Sequence, residues 1–191
     1  MLVKENRRYL KMRSNKKAVI KKQVPTPYSI TCGPENPASM GCEFFELEDG
    51  EIATFFTAKK VHEGQLNIVH GGLTAAVLDE LMGRAVLTYH RNMSEGSGLE
   101  EQVSRYVTAE MTTKYKKPIS IGQKIYGYGR VYNKEGRRGY ASSELINESG
   151  EIVASAEAVF VEIKIPKANL SDNISDDNNC QELSKNDPKE L

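Results

Sequence analysis

Residues 68–83 read Ile-Val-His-Gly-Gly-Leu-Thr-Ala-Ala-Val-Leu-Asp-Glu-Leu-Met-Gly. From Gly71 to about Tyr89 the chain is rich in Ala and Leu and free of Pro, and His90-Arg91-Asn92 sits at the end. That pattern predicts one long helix. It has few polar positions, as a helix has when other elements cover most of its surface.

Around this helix the sequence reads as strands. The run 41–58 alternates about an Asp49-Gly50 turn, a strong hairpin signal. After the helix come four strand patterns: Val103–Tyr115, Lys124–Tyr132, Arg137–Asn147 and Glu151–Ile165. Their turns recur at about ten-residue spacing, which predicts an antiparallel meander. Helix and strands do not alternate, so the class is α+β. In the last strand Ile152, Ala154, Ala156, Ala158 and Phe160 share one face. Such small side chains let the helix approach closely.

Three features of the helix bear on chemistry. Gly71 and Gly72 stand at its start, where backbone N–H groups lack an intrahelical partner. Those donors, with the positive dipole end, suit an oxygen that gains negative charge. Asp79 lies among Gly72, Ala75, Ala76, Met82, Gly83 and Val86, mostly tiny residues, which suggests a slender channel. Asp is a poor helix former, and burial there would raise its pKa toward general-base work. Glu80 stands four residues before Arg84, the favourable order for an ion pair, so Asp79 is the catalytic choice. Eight residues separate Gly71 from Asp79, about 12 Å along a helix axis. One carbonyl cannot touch both groups of the same helix. Antiparallel helices in a two-fold dimer would bring them together twice.

The remainder of the chain sets limits. Its 191 residues suit one domain with tails. Lys+Arg and Asp+Glu both number 26, which argues against a globally basic nucleic-acid binder. No apolar run approaches the roughly 20 residues of a membrane span. Residues 1–24 hold nine cations and one acid, Glu5, and read as a basic arm or helix. Residues 167–191 are rich in Asn, Asp and Ser without a period and read as a disordered tail, leaving 25–166 as the domain. Cys32, Cys42 and Cys180 form neither a disulfide framework nor a zinc pattern, which points to free thiols in the cytoplasm and to no metal site.

The strongest constellation is His62-x-Gly64-x5-His70-Gly71-Gly72-x6-Asp79-Glu80-x2-Gly83. It is supported by Cys32-Gly33-Pro34-x-Asn36-Pro37, by Thr108-Ala109-Glu110-Met111-x3-Tyr115-x2-Pro118, and by Gly136-Arg137-Arg138. On these residues the chain resembles the hotdog-fold acyl-CoA thioesterases, in particular the phenylacetate-pathway (PaaI-like) branch, across roughly residues 30–163. The resemblance implies a long central helix wrapped by a curved antiparallel sheet, in subunits joined edge to edge as a homodimer or, by pairing of dimers, a homotetramer. It implies hydrolysis of an acyl-CoA thioester without a cofactor. By carry-over, Gly71 donates its N–H to the thioester carbonyl, and Asp79 of the partner subunit activates water or attacks directly. Thr108 helps place the water, and His70 supports the turn into the helix beside Gly72. Some relatives carry Asn where this chain has Gly64, which lines the same place. Arg137 and Arg138 are the expected contacts for the coenzyme's phosphates, with Lys116 and Lys117 as further candidates. Two other hotdog roles are a non-catalytic acyl-CoA binder and a hydratase or dehydratase. The latter needs a catalytic loop histidine, for which His62 is the available residue.

Overall fold

The computed structural model describes residues 18–94 and 102–166. The expected tail and most of the basic arm lie outside these residues. Nine strands and one long helix follow in the order β1 (Val19–Lys22), β2 (Glu43–Leu47), β3 (Ile52–Thr57), β4 (Glu63–Gln65), β5 (Ile68–Val69), α1 (Gly71–Ser94), β6 (Gln102–Tyr115), β7 (Lys124–Glu135), β8 (Arg138–Asn147) and β9 (Ile152–Pro166). Seven of the strands form one sheet in the order β1-β2-β3-β7-β8-β9-β6. Every pairing within it is antiparallel. β4 and β5 make a separate small ribbon.

The expected hairpin is present. Gly50 takes the left-handed conformation at φ 80°, and Glu51 N–H donates to Asp49 Oδ1. The short strand Val19–Lys22 falls inside the stretch read as an arm, and it pairs with β2 at the sheet edge. Its alternating exposure is too brief to stand out in so basic a segment.

The helix lies across the sheet and buries Val77, Leu78, Leu81, Met82, Ala85 and Val86. It rests almost on the backbone of β7: a Cβ at Gly129 would stand 2.7 Å from the Leu81 carbonyl oxygen. The alanine face of β9 is buried as expected, at Ala154, Ala156 and Ala158. The buried Ser143 hydroxyl of β8 donates to the Leu78 carbonyl at 3.0 Å. That bond fastens the helix to the sheet one residue before Asp79. No helix among the described residues is long and apolar enough to cross a membrane.

Candidate active site

The helix start is held by two histidines. His62 is fully buried; its Nδ1 accepts from Lys59 N–H, and its Nε2 donates to the Ser39 carbonyl. Both ring nitrogens are therefore committed to the backbone. This removes His62 as the loop histidine of a hydratase. Its carbonyl in turn accepts from His70 N–H at 2.9 Å.

His70 caps the helix. Its carbonyl accepts from the N–H groups of Leu73 and Thr74, and its Nδ1 accepts from Gly72 N–H at 3.0 Å. His70 thereby satisfies donors of the first helical turn. The Gly71 N–H, one residue earlier than the bonded Gly72, makes no hydrogen bond among the described residues. It is the donor left over at the positive end of the helix. The Gly71 carbonyl accepts from the Tyr115 hydroxyl at 3.0 Å. Gly71 lies in a cleft that also holds Gly64, His70, Tyr115, Lys116 and Lys117. Gly64 is packed too tightly for a side chain, since a Cβ there would stand 2.6 Å from the His70 Cα.

Asp79 faces a different cleft, with Thr108, Gly83, Leu87, Tyr106 and Phe160 among its walls. Within one protomer Asp79 is half-buried rather than buried, because the cleft opens beside the edge strand β6. The Thr108 hydroxyl donates to Asp79 Oδ1 at 2.7 Å. Neighbouring Tyr106 has its phenol pushed up to about 12 by burial and by Glu162, so it is protonated at neutral pH. Glu80 is taken up by Arg84 at 2.7 Å, as the four-residue spacing indicated. The two clefts share no lining residue. A single protomer therefore carries the Gly71 N–H and the Asp79 carboxylate in separate clefts.

The expected phosphate contacts stand apart from both. Arg137 donates through Nε and Nη2 to the Glu162 carbonyl at 3.2 and 2.7 Å, so its guanidinium is committed to β9. Arg138 is exposed at the start of β8, and neither arginine lines either cleft. Lys117 is paired with Glu151, whereas Lys116 is exposed in the Gly71 cleft. Two contributors escaped sequence reasoning. Tyr115 was legible only as part of a motif, with no sign of its bond to Gly71. Gln23, Val24 and Thr26 line the Asp79 cleft from a segment with no local signal.

An antiparallel sheet wrapped on one long helix defines the hotdog fold. A family model described as the thioesterase superfamily matches residues 66–154, from just before β5 into β9. The chain is 28% identical over 126 residues to the medium/long-chain acyl-CoA thioesterase YigI of Escherichia coli (strain K12), covering 64% of this chain and 80% of that protein. Among solved structures, the thioesterase superfamily protein RHA08564 aligns with TM-score 0.59 at 21% identity, over 84% of this chain and 76% of that one. The E. coli PaaI protein, from the phenylacetic acid degradation operon, aligns with TM-score 0.54 at 17% identity, over 65% and 81%. The chain has the hotdog fold, and over residues 66–154 it is similar to the thioesterase superfamily.

Proposed function

We propose that the protein is a PaaI-like acyl-CoA thioesterase that works as a two-fold dimer, each site built from the Asp79 half of one protomer and the Gly71 half of the other. Asp79 takes a proton from a water placed by the Thr108 hydroxyl, and the water oxygen attacks the thioester carbon. The carbonyl oxygen, becoming negative, is met by the Gly71 N–H. The C–S bond then breaks, and the coenzyme thiolate leaves with the proton that Asp79 holds. Free acid and coenzyme A result. Water, a carboxylate and a peptide N–H complete this chemistry without a metal or redox cofactor.

The observation that carries the reading is the Thr108–Asp79 hydrogen bond facing an open cleft, with an unbonded Gly71 N–H in another cleft. About 12 Å of helix separates the two groups, so one substrate needs two chains. β6 offers the means, being a sheet edge of 14 residues with no neighbour on its outer side among the described residues. A long unprotected edge is a ready template for another chain. Lys116, with Arg138 from farther away, supplies positive charge for the coenzyme's phosphates. A tetramer of such dimers and a cytoplasmic setting, in keeping with the buried free thiols Cys32 and Cys42, belong to the same reading.

The test is complementation. Asp79→Asn and Gly71→Pro homodimers each lose both sites, whereas their heterodimer keeps one intact site. Thiol release from acyl-CoAs is expected to be lost in each variant alone and to return when the two are co-expressed. No return would sink the shared-site geometry. A wild type inert on every acyl-CoA favours the non-catalytic binder, whereas full activity in Asp79→Asn removes only the mechanism. Light scattering gives the oligomeric state of the same samples.

A further inference from the structure

The Asp79 cleft has a third wall that lies outside the part of the chain matched by the thioesterase model. Gln23, Val24 and Thr26 face Gly83, Leu87 and Phe160 across it. This wall is anchored on the helix. The Gln23 side-chain carbonyl accepts from Arg84 Nη1 at 3.1 Å, and its amide donates to Thr88 Oγ1 at 3.1 Å. Arg84 and Thr88 are one turn apart, so a single glutamine spans a turn of α1. Arg84 also donates to the Val24 carbonyl, and its guanidinium lies over the Phe44 ring at 4.4 Å. With only 13% of its side chain exposed, Arg84 is a fixed post.

The cleft floor is correspondingly open. Asp79, Gly83 and Leu87 stand at successive turns of one helix face. A Cβ at Gly83 would meet the Phe160 ring at 3.4 Å, so that position is already filled to contact by its neighbour. Val24 is 39% exposed at the wall, an apolar group with room in front of it. Of the arginines in the lining, Arg84 pairs with Glu80 and Arg91 with Glu46, and Arg105 of β6 stands on the opposite side, whereas Val24, Leu87 and Phe160 supply apolar surface.

We infer that Gln23, Val24 and Thr26 form a specificity wall for an aliphatic acyl chain running from Asp79 along α1 toward Leu87. The inference rests on the thioesterase reading above and names the place of its acyl group. Arg84 stands five residues beyond Asp79, about 7 Å along the axis, so the wall meets only chains long enough to reach it. Gln23 is a positioning residue that holds the wall through Arg84 and Thr88.

The test compares kcat/KM for a long and a short acyl-CoA in the wild type, Val24→Phe and Gln23→Leu. Val24 is exposed, so the larger ring leaves the core untouched. In Val24→Phe the long-to-short ratio is expected to fall about tenfold, the scale at which an apolar pocket discriminates chain size. In Gln23→Leu the ratio falls through KM for the long substrate, the wall having lost both anchors. An unchanged ratio in Val24→Phe, with the wild type active, overturns the wall while leaving the hydrolase intact. An inert wild type removes both.

Discussion

Thr108 reaches Asp79 from the last paired position of β6 before a bulge at Ala109. In the β6–β9 ladder Thr108 pairs with Phe160, yet Glu110 pairs with the adjacent Val159, so Ala109 has no partner of its own. Beyond this bulge Met111 packs on the core, and before it Tyr106 does. Their numbers differ in parity, which a regular strand forbids. The bulge switches which face looks inward, and Thr108, two residues after Tyr106, shares the inward face just before that switch.

Thr108→Val keeps the shape and removes the donor to Asp79. A hydrogen bond to a charged group contributes about 1.5–3 kcal/mol, so kcat is expected to fall by about 10- to 100-fold. Thr108 is exposed within the protomer, and the melting temperature should hold. Thr108→Ser, which retains the hydroxyl, should retain most of the rate. Equal losses in the two variants would show that the hydroxyl has no part in placing water.

What was legible in the sequence was what depends on near neighbours. The helix start at Gly71, the Asp49-Gly50 hairpin and the four later strands follow from local pattern, and their bounds agree with the structure within a few residues. The alanine row of β9 even announced the partner it packs against. Asp79 emerged because an acid among tiny apolar residues needs a reason. The phosphate reading of Arg137 met a different outcome: an arginine pair in a turn has no sequence mark of the Glu162 carbonyl, 25 positions away, that takes up Arg137. Gln23 was invisible for the same reason, its partners being 61 and 65 positions distant.

On the resemblance, Gly64 stands where an asparagine is expected, and the packing opposes that side chain. A Cβ there would press on the His70 backbone at 2.6 Å, in a ribbon fixed by buried His62. Gly64→Asn is expected to cost about 1–3 kcal/mol through overpacking. The melting temperature should drop by several degrees. Activity should fall with it, because a displaced His70 releases the Gly72 N–H. A variant that melts like the wild type and turns over faster would mean that the ribbon adapts and gains a donor.

Cys42 gives stability a pH dependence. Burial pushes its thiol far up, with Cys32 and Glu80 adding to the effect and Thr54 and Arg84 opposing it. The folded chain therefore keeps this proton where the unfolded chain, with a thiol near 8.5, gives it up. The contribution is full below that value and shrinks as pH rises past it, by up to about 1.4 kcal/mol per pH unit. Tyr106 adds its share only above the unfolded tyrosine value of about 10. Denaturant midpoints measured between about pH 8.5 and 10 should decline in the wild type and decline less in Cys42→Ala. Parallel slopes would mean that another group governs this range.

Gly71 allows the oxyanion donor to be removed without removing the helix. The residue follows the capping His70 and so occupies the first helical position, where proline is favoured and its missing N–H breaks no helical bond. Gly71→Pro therefore deletes the one atom assigned to the carbonyl oxygen. Loss of an oxyanion donor lowers kcat by about 10²–10³-fold, which is the drop expected here. Gly71→Ala is the control. Its Cβ would lie 3.6 Å from the Tyr115 ring, an ordinary contact, and the N–H stays in place. Helix propensity even favours it, by up to about 1 kcal/mol. The alanine variant should keep its rate and melt no lower than the wild type. If Pro and Ala lose activity alike, crowding beside Tyr115 is the cause, and the peptide N–H of residue 71 does not polarise the thioester. A proline variant that keeps its rate likewise moves the donor elsewhere in that cleft.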